Sequence, residues 1–148
     1  MVTHFNHAGE VTAESGRVAG LFAKAAIPLL NQAVLLRGVN DQVHAQLNLW
    51  RAMVRLSIKP YYLHHPDRAP GNASFRLTIR QGLAIFGGFR RQWEGPAPEY
   101  VLDLPDGRGK VPISALRNDA PGVYVYEHGD GHRSTYRELD VGAAVLAK

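Results

Sequence analysis

The sequence predicts an α/β fold: a parallel sheet covered by helices, followed by a β-hairpin. Short apolar, β-favouring runs alternate with amphipathic stretches as far as Lys110. Strand starts recur about 30 residues apart, the span of one strand–helix–strand unit. Beyond Lys110 the pattern changes to two alternating runs around a Gly-rich turn. The chain has 148 residues, 45% hydrophobic and 20% charged. Those are globular proportions, and a chain of this length buries about two-thirds of its unfolded surface.

Residues 2–5 read as the first strand, and residues 11–26 as a helix with Val11, Val18, Leu21, Phe22 and Ala25 near one face. Pro28 breaks that helix, and residues 29–36 follow as a buried strand. Residues 37–41 form a loop ending in a capping signal. The clearest helix spans residues 43–56, with Leu47, Trp50 and Val54 on its inner side. Residues 58–63 are the next strand, closed by a Pro/Gly/Asn loop over 64–74. Residues 79–89 read as a helix weakened by Gly82, Gly87 and Gly88. Residues 100–102 are a short strand. Residues 123–127 and 132–136 flank the turn His128-Gly129-Asp130-Gly131 as a hairpin, and residues 139–148 read as a small helix or frayed tail. The division expected is an α/β unit over 1–115, then a hairpin and tail over 116–148.

The net charge of +4 suits anionic partners. The arginines are scattered, however, and the aromatics do not interleave with them, so a nucleic-acid partner is not expected. Met1 is not followed by a basic and then an apolar leader segment. The most apolar stretch, 20–36, is interrupted by Lys24, Pro28, Asn31 and Gln32. Neither a leader nor a membrane span is expected, and the default location is cytoplasmic. Cysteine is absent, which excludes disulfides, cysteine nucleophiles and thiolate-held zinc or iron–sulfur clusters on this chain alone.

In a parallel sheet, function gathers at the turns after the strands. Four clusters stand there. In Thr3-His4-Phe5-Asn6-His7, a strand sends the two imidazoles to opposite faces, which favours pocket contacts over a metal site. Asn31-Gln32 lies inside an apolar run, where internal hydrogen bonding and ligand binding are both open. In Tyr61-Tyr62-Leu63-His64-His65-Pro66-Asp67, a carboxylate past a strand end beside two imidazoles suits a cation and serves equally as a loop cap. In Asp103-Leu104-Pro105-Asp106-Gly107-Arg108-Gly109-Lys110, glycines permit left-handed backbone. A partly desolvated lysine after such a loop, with Arg108 near it, is nucleophilic enough for Schiff-base chemistry. The spacing is not that of a Walker loop, and another kind of phosphate loop stays open.

Taken together these residues resemble the lysine 2,3-aminomutases, radical S-adenosylmethionine enzymes that also use pyridoxal phosphate. The resemblance rests on THFNH from Thr3, IPLLNQAVLLRGVND from Ile27, KPYYLHHPD from Lys59, Phe75-Arg76, and YVLDLPDGRGKVP from Tyr100, in family order and spacing. It implies the C-terminal portion of a partial (β/α) barrel that takes part in interconverting L-lysine and β-lysine by radical 1,2-amino migration. It implies Lys110 as the lysine that holds pyridoxal phosphate and His64 as a ring beside that cofactor. Asp67 and Asp103 are implied as the pair that grips the substrate's side-chain ammonium, and His4 and Gln32 as lining the S-adenosylmethionine pocket. Two converging carboxylates repel unless a cation sits between them, which suits lysine and disfavours glutamate.

The family's upstream CxxxCxxC stretch, which holds a 4Fe–4S cluster, is not in this sequence. The upstream basic residues that grip the cofactor phosphate and the substrate carboxylate are missing too. Asp106 stands where a glycine is usual, and Ser74 where a histidine is. The chain is therefore expected to be inactive alone. S-adenosylmethionine and the cluster would enter only with a partner chain carrying the other half, or the chain would self-associate. The alternative is a non-catalytic remnant or interaction module that pairs through its open sheet edge.

Overall fold

The computed structural model describes residues 1–138, so the helix or tail expected over 139–148 lies outside the described residues. Five strands form one sheet in chain order: β1 (Val2–His4), β2 (Leu29–Val34), β3 (Ile58–His64), β4 (Glu99–Asp103) and β5 (Lys110–Pro112). The first four are parallel, and β5 returns antiparallel to β4. Helices α1 (Ala13–Lys24), α2 (Val43–Arg55) and α3 (Ile79–Gln92) make the crossovers. A second, antiparallel sheet follows, of β6 (Arg117–Ala120), β7 (Val123–Glu127) and β8 (Arg133–Arg137). The architecture is thus a partial-barrel-like α/β sheet followed by a hairpin that has gained a third strand. Strands β5 and β6 escape the sequence pattern because they are three and four residues long, and β6 is exposed throughout.

Reciprocal caps start two helices, Thr12 with Ser15 on α1 and Thr78 with Gln81 on α3. The capping signal expected before α2 is not used: its N-cap is Gln42, without a side-chain bond. Asn40 is instead fully buried. Its amide accepts from Leu36 N at 2.7 Å and donates to Asn6 O and Val34 O, both at 2.8 Å. It thereby ties the end of β2 to the turn after β1.

Two helix faces also differ from expectation. On α1, Val18 and Leu21 are exposed, and Ala19 is the buried residue. Phe22 and Val11, both on the expected face, pack partly buried against the core, and Gly16 lets the helix come close to Leu56. On α2, Leu47 and Trp50 are buried as expected, but Val54 is exposed and Met53 takes its place in the core. Two of the three glycines of α3, Gly82 and Gly88, are packing residues. A Cβ at Gly82 would lie 1.9 Å from the Tyr100 hydroxyl, and one at Gly88 would lie 2.6 Å from Val43 Cγ2.

The core joins Ala33, Leu63, Tyr100 and Leu102 of the sheet to Trp50, Met53, Ile79 and Phe89 of the helices, and Tyr124 and Tyr136 of the second sheet enter the same cluster. Among the described residues no helix is long and apolar enough to cross a membrane.

Candidate functional site

Strands β1 to β4 end at a common cavity of about 270 Å³, lined by His4, Gln32, Val34, His64, His65, Asp67, Asp103 and Lys110. All six residues singled out from the sequence line it, together with Val34 and His65. Register explains the assembly. His4 stands beside Gln32, Val34 beside His64, and Asp103 opposite Lys110. Parallel strands with aligned ends bring residues from distant parts of the chain to one rim.

His64 reaches the cavity because of a register shift. The β2–β3 pairing slips between Asn31 and Gln32, leaving Tyr61 without an opposite residue, as in a β-bulge. Alternation from buried Ile58 would send residue 64 to the helix side. The extra residue restores Leu63 to the core and turns His64 to the cavity. It also stacks Tyr61 on Tyr62, with ring centroids 3.9 Å apart, and the hydrogen bond to Tyr61 raises the Tyr62 hydroxyl above the usual phenol range.

Asp103 is the hub. Its Oδ2 lies 3.0 Å from His64 Nδ1 and its Oδ1 lies 3.1 Å from Lys110 Nζ. The turn between β4 and β5 creates this juxtaposition. Gly107 and Gly109 adopt left-handed φ values of 77° and 97°, and Leu104 N donates to Gly109 O at 2.9 Å. Lys110 is partly desolvated as expected, but Arg108 is not its partner. The Lys110 side chain is 41% exposed and paired with Asp103, while Arg108 turns away to Asp130.

The buried Nε2 of His64 has no hydrogen-bond partner. An unsatisfied buried nitrogen on a cavity wall is the kind of group a ligand satisfies. The question left open at Asn31-Gln32 divides cleanly. Asn31 is fully buried and bonds internally, accepting from Thr3 Oγ1 and Phe5 N and donating to Phe5 O. Gln32 points to the cavity. His7 caps the turn at Ala8–Glu10 through Nδ1, and His4 alone of that pair reaches the cavity.

His65, next to His64, has the opposite environment. It is 1% exposed, its Nδ1 lies 2.8 Å from the Tyr100 hydroxyl, and burial pushes its pKa down to about 4. It supports the rim as a neutral ring packed against Tyr136. The adjacent imidazoles in the sequence are the only hint of this role. A neighbouring hollow of about 390 Å³ shares Asp67 and Asp103 and is closed by Tyr136. Larger hollows of about 460 and 620 Å³ lie elsewhere along α3 and between α2 and Trp93, without a comparable convergence of chemically active side chains. Among the described residues no three His, Cys, Asp or Glu are grouped to hold a metal ion.

Known proteins give this cavity a context. Over 139 residues, 92% of the chain, the sequence is 44% identical to the L-lysine 2,3-aminomutase of Clostridium subterminale. Over 141 residues it is 43% identical to the L-lysine 2,3-aminomutase of Acetoanaerobium sticklandii. The chain is homologous to the lysine 2,3-aminomutases. An alignment over 92% of the chain includes Gln32, His64, Asp67, Asp103 and Lys110, all well inside both ends. The chain spans about a third of the length of these curated relatives, 33% and 34%. A glutamate 2,3-aminomutase of Clostridioides difficile is also similar, 37% identical over 112 residues. No protein-family model matches the chain.

Proposed function

We propose that this chain supplies the cofactor-lysine and ammonium-binding part of an aminomutase site acting on a lysine-like diamino acid. The reading is carried by one observation: a primary amine, an imidazole with an unpartnered nitrogen, and two carboxylates line a single cavity at the strand ends. That donor set fits the aldehyde end of pyridoxal phosphate. It does not supply a phosphate grip, since Lys110 is the single Lys or Arg among the lining residues. When bound, pyridoxal phosphate supplies an aldehyde for an amine and a ring over which an unpaired electron spreads.

Lys110 holds the cofactor through its amine, and leaving Asp103 is the condition for doing so. Asp103 is then relieved of one cation at Oδ1. Together with Asp67 it binds the distal ammonium of the amino acid, orienting the chain of the substrate across the cavity. His64 keeps its Nδ1 on Asp103 and offers Nε2 to the ligand. Gln32 and His4 face the side of the cavity nearest β1, where an adenosyl group would approach. The absence of cysteine means that a 4Fe–4S cluster has no thiolate ligands on this chain, so cleavage of S-adenosylmethionine belongs to another polypeptide segment. The chain alone is inactive on this reading.

A second reading, an interaction module, is favoured by the partly open sheet face, where Val2 and Tyr61 are 49% and 37% exposed.

Borohydride trapping of the chain with pyridoxal phosphate, followed by peptide mapping, tests the first reading. The stable adduct is expected at Lys110 in preference to Lys24, Lys59 or Lys148. Equal labelling of a Lys110→Ala variant, after surface adducts are subtracted, would remove Lys110 from the assignment.

A further inference from the structure

The second sheet reaches back to the loop that precedes Lys110. Ser134 on β8 is 2% exposed, and its hydroxyl donates to Asp106 Oδ2. A hydroxyl has one proton, so the contact between Ser134 Oγ and His128 Nε2 at 2.7 Å is a donation by the imidazole. The order of donors is therefore His128 to Ser134 to Asp106. The Ser134 hydroxyl, first among several contacts, holds Asp106 below the usual carboxylate range. Beside this part-buried tie runs an exposed one, Arg108 Nη1 to Asp130 Oδ2 at 2.9 Å, which contributes less because water screens it.

Asp106 and Arg108 alternate with Gly107 and Gly109 immediately before Lys110. Two left-handed glycines give this segment backbone freedom that residues with a Cβ would not have. Its own backbone bonds close the turn without fixing its tilt against the sheet. The contact to Ser134, 28 positions further along the chain, supplies the most sheltered second point of attachment, beside the more exposed contacts of Asp106 with His132 at 3.4 Å and of Arg108 with Asp130.

We propose that Ser134 is a positioning residue, which through Asp106 holds the glycine loop so that Lys110 stands opposite Asp103. The proposal rests on Lys110 being the cofactor lysine for its functional meaning, while the latch itself is a property of this chain. A glycine at position 106 could not accept the Ser134 hydroxyl, so the device depends on the aspartate present here.

The test uses the full chain with Ser134→Ala, Ser134→Thr and Asp106→Ala, the last altering a side chain on the exposed end of the contact. Hydrogen exchange is read at Gly107, whose amide donates to Leu104 O. Pyridoxal phosphate trapping is read as the ratio of adduct at Lys110 to adduct at Lys59. Both alanine variants are expected to exchange at Gly107 at least tenfold faster and to lower the ratio at least threefold, with Leu63 and Val101 amides unchanged. Ser134→Thr, which keeps the hydroxyl, restores both readings, and the double alanine variant is no worse than Asp106→Ala, which also loses the Arg108 N and His132 contacts. Unchanged exchange at Gly107 in both alanine variants overturns the latch, as does a loss in Ser134→Ala that Asp106→Ala does not reproduce. Should the unaltered chain form no adduct at Lys110, the functional reading fails, and the exchange comparison still decides the latch.

Discussion

Acid should weaken this fold through His65. His65 is buried against the Tyr100 hydroxyl and the edge of Tyr136, and its pKa is pushed down to about 4 by burial. In the unfolded chain a histidine titrates near 6.5. Between these values the unfolded state binds the proton and the folded state does not. Stability is therefore complete above about pH 6.5 and declines as the pH falls toward 4. A gap of about 2.5 units at about 1.36 kcal/mol each is worth roughly 3 kcal/mol. Small domains have about 5–15 kcal/mol in total, so the effect is large. Urea unfolding at a series of pH values should show it as a slope approaching, but not exceeding, about 1.36 kcal/mol per pH unit from this one group. His65→Gln, which cannot ionise, should be less stable at pH 7 and flat over the same window. Asp106 and Asp130 have lowered pKa values from their hydrogen bonds to Ser134 and to the His132 backbone, so any stability they add is lost at lower pH, through the folded carboxylate range. Parallel loss of stability in the His65→Gln variant between pH 6.5 and 4.5 would refute the reasoning.

Two further substitutions probe the scaffold. Gly82→Ala would place a methyl 1.9 Å from the Tyr100 hydroxyl and should cost about 1–3 kcal/mol in a thermal or urea melt, so an unchanged midpoint would show that the helix shifts freely. Asn31→Leu leaves Phe5 N and Phe5 O without partners and should destabilise by about 1–3 kcal/mol per group, with faster amide exchange at Phe5. Wild-type exchange there would mean that water replaces the amide.

The division of labour between local pattern and tertiary structure is clear at particular residues. Three helices and strands β2 to β4 are legible from their apolar runs and periods, β1 from its β-favouring residues at the chain start, and the β7–β8 hairpin because His128-Gly129-Asp130-Gly131 is turn chemistry. The six cavity residues are legible as motifs at strand ends, since a parallel sheet sends those ends to one rim. Periodicity cannot find β5 or β6, which are too short to show a period. On α1 it finds Phe22 but misplaces Val18 and Leu21, which are exposed.

Other features belong to the folded molecule alone. A register shift in the pairing with β2, immediately after Pro60, decides that His64 faces the cavity. Two adjacent imidazoles acquire opposite environments, His64 beside Asp103 and His65 beside Tyr100, because successive residues leave a strand end in different directions. Asp103 meets Lys110 only once the glycine turn closes, and Asp106 meets Ser134 only once the second sheet docks. Local sequence sets which side of an element is apolar, whereas the contacts that shape this cavity form between residues far apart in the chain. Their partners are chosen by how the elements pack, and no short stretch of sequence contains that information.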